Sequence, residues 1–197
     1  EKLIMKTKRW IGFFLSLLAT FTVLGFWNVQ RVSAADVTDK AKFENLKVTV
    51  AETGSDSHII IGPSTKTVEL KYSGDFSFPN VEVNDIKPGD YFIVKAPDNL
   101  DLQDQTLDLI DKNSNTTMGT VQVDSKNHQL LFTFNDKVKD KQNIRGSFVA
   151  TAQQTVEGVT KKVTYTLPGG VTKEIEFEVK KYPKLPHEGE QIGRAHV

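Results

Sequence analysis

The sequence contains no cysteine, and both of its tryptophans, Trp10 and Trp27, fall within the first 27 residues. With no thiols there is no disulfide framework, no thiolate nucleophile and no cysteine-held metal cluster. Helical patterning is missing as well. Beyond residue 35 no stretch carries apolar residues at a sustained i, i+3, i+4 spacing, so the mature chain must build its core from strands.

Basic charge is also short once the ends are set aside. Met5 opens a secretory-signal pattern: Lys6, Lys8 and Arg9 form a basic start, Trp10 to Trp27 is almost wholly apolar, and Val32-Ser33-Ala34-Ala35 supplies small residues for cleavage. Eighteen apolar residues are barely enough to span a bilayer core of roughly 30 Å. The small-residue site at the proper distance favours a cleaved signal over an anchor. Cleavage after Ala34 and cleavage after Ala35 both satisfy the pattern, and Asp36 is taken as the first mature residue. Residues 1–4 read as translation upstream of the start, and Ile192–Val197 as translated sequencing adapter.

Of the 25 basic residues six lie outside 36–191, and of the 25 acidic residues one does. That leaves 19 against 24, a net charge of −5. An acidic fragment lacks the basic face that nucleic acid or an anionic membrane surface requires. The expectation is a domain with no nucleic-acid partner, no membrane insertion of its mature part and no cofactor. Its 156 residues suffice for one ordinary core.

What is present is period-two alternation in short runs between turn residues. Leu46, Val48 and Val50 form one run, and Val68, Leu70 and Tyr72 another. Residues 90–96 are denser and read as a central strand. Residues 107–110 and 118–123 flank the polar turn Asp111–Asn115. Leu130, Phe132 and Phe134 share one face. Residues 144–152 follow, then 163–167 and 171–179 around the hairpin signal Pro168-Gly169-Gly170. Eight or nine strands at spacings near ten residues predict an all-β, immunoglobulin-like sandwich of two packed antiparallel sheets over 36–181. Residues 182–191, with Pro183 and Pro186, read as an extended linker to a second domain.

Catalytic chemistry finds little support. His58, His128 and His187 sit in polar, turn-like contexts, none with a serine and an acid arranged for nucleophilic attack. Asp111-Lys112-Asn113-Ser114-Asn115 begins like a calcium loop, but the sixth and twelfth positions hold Thr116 and Gln122 where Gly and Glu are needed. Asp98, Asp101, Asp104, Asp108 and Asp111 have no aromatic ring among them to stack a sugar between paired acids, and they read as solvated loop. Lys47 could supply the amine of an internal Lys–Asn cross-link, yet the last strand offers no Asn. Leu185-Pro186-His187-Glu188-Gly189 has Glu where a sorting signal carries Thr, and no apolar tail follows. The reading is a non-enzyme without metal or cofactor sites.

The informative stretch is Leu131-Phe132-Thr133-Phe134-Asn135-Asp136-Lys137-Val138, continuing through Asp140, Lys141, Asn143, Ile144, Gly146, Ser147 and Phe148. It resembles the TYTFTDYV motif and the following D-x-K-x-N-(V/I)-x-G-S-F of Gram-positive MSCRAMM-type fibrinogen- and collagen-binding surface adhesins. Phe132 replaces Tyr, Asn135 replaces Thr and Lys137 replaces Tyr. Ile86-Lys87-Pro88-Gly89-Asp90, Pro97-Asp98-Asn99-Leu100 and Phe43-Glu44-Asn45-Leu46 resemble further motifs of the same family, in its order. The chain thus resembles the first ligand-binding module, the SDR-like immunoglobulin domain. That resemblance implies a secreted, cell-wall-attached adhesin. It would bind a host extracellular-matrix or plasma protein (fibrinogen- or collagen-like), or a peptide of it, together with an adjacent Ig-like module. In the family a segment of the second module adds as a strand beside the motif strand, which places the ligand and latch residues at Phe132, Thr133, Phe134, Asn135, Asp136 and Val138. The expectation is that Phe132 and Phe134 bury while Thr133, Asn135 and Lys137 face outward on an edge strand open to addition. Two other readings remain: a stalk domain that projects a distal binder, and an accessory carbohydrate-binding sandwich, which four tyrosines and no mature tryptophan support poorly.

Overall fold

Short alternating runs can hide an apolar face only by laying one sheet on another, and that is the solution adopted. The computed structural model describes residues 33–183; the signal segment up to residue 32, the linker beyond Pro183 and the adapter-like tail lie outside the described residues. Eleven strands are found there: β1 (Lys42–Val50), β2 (His58–Ile61), β3 (Thr67–Ser77), β4 (Tyr91–Lys95), β5 (Asp101–Leu102), β6 (Gln105–Ile110), β7 (Thr117–Asp124), β8 (Gln129–Phe134), β9 (Arg145–Thr155), β10 (Lys161–Thr166) and β11 (Thr172–Val179). Two single 3₁₀ turns, Thr38–Lys40 and Asp136–Val138, are the helical content of the described residues. The fold is an all-β immunoglobulin-like sandwich, as the alternation predicts.

One sheet runs β1-β3-β9-β5 and the facing sheet β4-β8-β7-β6; a third, β10-β11-β2, continues the wall of the core. Neighbouring strands pair antiparallel with one exception, β11 beside β2, which is parallel from Glu176↔His58 to Val179↔Ile61. The long β3–β9 pairing, Thr67↔Thr155 to Ser77↔Arg145, sets the register of the first sheet. β1 slips register between Glu44 and Lys47, where Asn45 takes φ 53°. Asn tolerates left-handed backbone better than most residues, so the bulge falls where the sequence permits it.

Aromatic rings join the two main sheets. Phe92 of β4 stacks on Phe132 of β8 with centroids 4.4 Å apart and planes 15° from parallel. Phe76 of β3 reaches across to both, at 4.9 and 5.6 Å, and Phe148 of β9 meets Phe132 edge-on at 5.6 Å. Phe78 and Phe134 close the cluster at 5.8 Å. These rings are buried, as are Leu70, Leu100, Leu109 and Met118. Each buried ring contributes roughly 1.5–3 kcal/mol by the apolar area it removes from water.

Tyr72 and Tyr165 are also buried, with their hydroxyls satisfied: one donates to the Lys95 carbonyl at 2.7 Å, the other to Gln154 Oε1 at 2.7 Å. Burial pushes both phenols upward, so they remain protonated donors. Pro168-Gly169-Gly170 makes the expected hairpin between β10 and β11, with both glycines at positive φ (88° and 81°). The expectation for residues 90–96 needs correction. β4 is not central but ends its sheet, and its outer edge is covered by residues 35–38.

Removing one ring of the central stack tests this account of the core. Phe132→Ala should cost about 3–5 kcal/mol in a urea unfolding experiment, because rings from both sheets lose a partner and the cavity cannot close. Thr120→Ala, on the exposed face of β7, should stay within about 0.5 kcal/mol of wild type.

Candidate functional site

The motif residues divide between two elements. Phe132 and Phe134 point into the core, Thr133 is half-buried on the opposite face of β8, and Asn135 is exposed. The chain then leaves the sheet: the Asn135 side chain accepts from the Lys137 amide at 2.9 Å and caps the 3₁₀ turn that buries Val138 and exposes Asp136. The burial pattern is therefore the expected one, but the strand is not an edge. β8 pairs with β4 from Tyr91↔Thr133 to Lys95↔Gln129 and with β7 from Gly119↔Phe134 to Asp124↔Gln129. Even at its end, the Phe134 amide donates to the Asp90 carbonyl and the Asn135 amide to the Met118 carbonyl. A strand cannot add along Phe132–Phe134 without displacing a neighbour. The order of strands in a sheet depends on distant pairings, and the alternation of β8 does not encode it.

An opening exists on the next strand. Beyond β9, β5 pairs over only two residues, Asp101↔Gln153 and Leu102↔Ala152. The Gln103 amide then donates to the Thr151 carbonyl, the chain departs, and contact resumes only where the Lys112 amide donates to the Arg145 carbonyl, both at 3.0 Å. Residues 145, 147, 149 and 151 turn their backbone groups to this side, because the alternate residues bond β3. Between those two hydrogen bonds, Ser147 and Val149 have no backbone partner on that side among the described residues. The gap is as long as a short strand.

Its surroundings are fixed. The Val149 side chain stands 51% exposed. On the outer face of the sheet, towards β1 and β3 and away from the gap, Val149 also lines a groove of about 490 Å³ with Asn45, Lys47, Asp75 and Ser147. Asp75 accepts from Ser147 Oγ at 2.5 Å and from Asn45 Nδ2 at 2.8 Å. The Ser147 hydroxyl, followed by the Asn45 amide, holds the Asp75 carboxyl below its ordinary range, against a smaller upward push from burial. Lys47 is exposed here, which removes it from any buried cross-link.

One end of the gap is pinned by the Asp111–Asn115 turn. Asp111 is buried, and its Oδ2 accepts from Lys141 Nζ at 2.7 Å and from Ser114 Oγ at 2.6 Å. Arg145 Nε donates to Asn113 Oδ1, and Asn113 Nδ2 to the Asn143 carbonyl. The oxygens that suggested a calcium loop thus hold a lysine ammonium, and no group of metal-ligating side chains occurs among the described residues. Of the five aspartates expected in a solvated loop, Asp98, Asp101, Asp104 and Asp108 are exposed, but Asp101 and Asp108 lie on β5 and β6, and Asp111 is buried because Lys141 and Ser114 satisfy its carboxylate. His58 pairs with Glu178 at 2.9 Å, His128 sits in the turn before β8, and His187 lies outside the described residues. The His58 ring meets Glu178, and the Ser55 hydroxyl accepts from the His58 backbone amide at 3.1 Å and not from the ring.

Comparison with known proteins bears on the fold. A family model described as Bacterial Ig domain matches residues 63–164. No curated protein matches. Among solved structures, a serine-rich repeat protein (Srr2) from Streptococcus agalactiae aligns with a TM-score of 0.53 and 23% identity over 77% of this chain and 48% of that one. The collagen binding domain of the Erysipelothrix rhusiopathiae surface protein RspB aligns with a TM-score of 0.50 and 18% identity over 77% and 51%. These likenesses establish the fold. The chain spans about half the length of the structures it matches.

The Asp111 clasp has a pH signature. Burial raises its carboxyl, but hydrogen bonds from Lys141, Ser114 and the Asn113 amide, with the Lys141 charge, outweigh burial and lower it below 3.8. A carboxyl depressed on folding contributes stability above its unfolded value and loses it as the pH falls through the folded one. Urea midpoints should therefore drop as the pH falls below about 4. Asp111→Asn should be less stable than wild type at pH 7, and its curve should converge on the wild-type curve as the pH falls and the carboxyl is protonated. Parallel curves for the two proteins would contradict the assignment.

Proposed function

The chain belongs to the bacterial Ig-domain family, and we propose that it is the first ligand-binding module of an exported, cell-wall-attached adhesin. With a second Ig-like module it holds a host extracellular-matrix or plasma protein by peptide docking and strand addition. The observation that carries this reading is the gap beside Ser147 and Val149 on β9. An incoming extended segment finds two residues' worth of donors and acceptors already aligned, with Val149 beside them for an apolar contact.

Domain boundaries in this proposal follow the sequence: residues 5–35 as export signal, 36–181 as the module and 182–191 as the link to its neighbour. The motif residues Phe132, Phe134 and Val138 position the acceptor, since the strand and 3₁₀ turn they anchor lead directly into β9. Thr133, Asn135 and Asp136 lie outside the gap. The carbohydrate-binding alternative loses ground on the aromatics. Tyr72 and Tyr165 are buried, Tyr91 is half-buried on β4, and Tyr182, the exposed one, follows the last strand. No row of rings is available for sugar stacking among the described residues.

A proline in the gap separates acceptor from scaffold. The Val149 amide faces the gap and not β3, so Val149→Pro removes a donor that the folded domain does not use, a position where strands tolerate proline. In the complete two-module protein, Val149→Pro should fold and should release a fibrinogen or collagen ligand at least tenfold faster, most affinity change within one interface being in dissociation. Thr133→Lys should leave the dissociation rate unchanged. A folded Val149→Pro protein with wild-type dissociation would reduce β9 to scaffold.

A further inference from the structure

Two carboxylates are buried among the described residues, Asp90 and Asp111, each only 3% exposed. Asp111 has the Lys141 ammonium at 2.7 Å. Asp90 has no cationic side chain within ion-pair distance among the described residues. Its Oδ2 accepts from the Lys87 amide at 2.8 Å, which closes the Lys87-Pro88-Gly89-Asp90 turn, and its Oδ1 accepts from the Ala35 amide at 3.0 Å. A buried carboxylate compensated by amides alone is costly unless a positive charge is supplied.

The second of those amides belongs to a residue at the signal junction. Val32-Ser33-Ala34 and Ser33-Ala34-Ala35 present small residues equally well, so the sequence alone does not choose between cleavage after Ala34 and after Ala35. The fold distinguishes them. The Ala35 carbonyl accepts from the Tyr91 amide at 3.0 Å, Asp36 bridges Tyr91, and the Val37 amide donates to the Tyr91 carbonyl at 2.8 Å. Val37 is buried and Thr38 Oγ1 accepts from the Ile93 amide at 2.9 Å, so residues 35–38 cover the outer edge of β4. Cleavage after Ala35 would discard both hydrogen bonds made by that residue.

We propose that Asp90 is a preformed receptor for the mature N-terminus: the signal is cut between Ala34 and Ala35, and the new α-ammonium of Ala35 pairs with Asp90. Hydrolysis adds the hydroxyl of water to the Ala34 carbonyl carbon and leaves the Ala35 nitrogen, protonated, as the new chain end. That nitrogen stays where the amide was, 3.0 Å from Asp90 Oδ1, and changes from a neutral donor to a charged one. Charge-assisted hydrogen bonds of this kind are about twice as strong as neutral ones. Processing thereby supplies the cation that Asp90 lacks and fastens the segment that seals β4 against unwanted strand pairing. The inference rests on the export-signal reading and moves the end of that signal one residue back, from Ala35 to Ala34.

The test uses the full chain secreted from a Gram-positive host. Intact mass should give Ala35 as the first residue. Acylation of the α-amine, followed on the N-terminal peptide across pH, should show a rate midpoint about one unit higher in the folded protein than in urea, a roughly tenfold slower reaction near pH 7. Simple steric shielding would slow the reaction without moving the midpoint. Asp90→Asn, which keeps an acceptor in place, should return the midpoint to the value in urea; if that variant fails to fold, the wild-type comparison decides. A mature protein starting at Asp36, or an unmoved midpoint on an Ala35 start, overturns the receptor alone. A secreted or retained chain that keeps its first 34 residues overturns the export reading together with the receptor.

Discussion

The stacked pair Phe92–Phe132 is the contact on which the remaining structure depends. It joins β4 to β8 within one sheet, and Phe76 and Phe148 close on it from the other, so the two layers share a single aromatic interior. Aromatic pairs in tilted and edge-on arrangements add specificity beyond the area they bury, and here they fix how far apart the sheets stand. In a chain without disulfides this packing takes over the role of covalent bracing. It also holds the open margin of the sheet in place, because β9 carries Phe148 on its inner face and the unpaired backbone of Ser147 and Val149 along its edge. The rigidity of the first supports the availability of the second.

Much of the fold was legible in the sequence because alternation reports burial directly. Val48, Val50, Leu70, Phe132, Phe134, Phe177 and their neighbours bury as the period-two pattern predicts, and Pro168-Gly169-Gly170 turns where its residues allow. β2 escaped notice because His58-Ile59-Ile60-Ile61 does not alternate and takes its partner from the far end of the chain. β5 is two residues long, below what any periodicity can register. The apolar density of residues 90–96 suggested a central strand. Its cause is an N-terminal segment lying along β4, a contact with a part of the chain fifty residues away.

The candidate site was legible only in its vicinity. Family motifs directed attention to residues 131–148, and the gap at Ser147 and Val149 overlaps only the end of that stretch, on β9 and not on β8. Alternation tells which face a side chain occupies and is silent about which strand flanks which. The gap exists because β5 stops after Leu102 and the chain does not return until Lys112, a property of the route taken by a loop. The acidic oxygens of the Asp111 turn were correctly read as turn chemistry. Their partner, Lys141, thirty residues on, carries no local signal.

The parallel pairing of β2 with β11 sets an order of events. Glu176 lies 118 positions after His58, yet the two sit side by side. Closing so long a loop is an entropic cost that must be met before the contact returns anything, and nothing nearer in sequence can take that place. A chain that emerges from its N-terminus therefore carries β2 with an unmatched margin until almost the last residue of the domain has arrived. Completion of the sandwich is in this sense a signal of length: the small sheet closes only on a chain delivered whole through Val179.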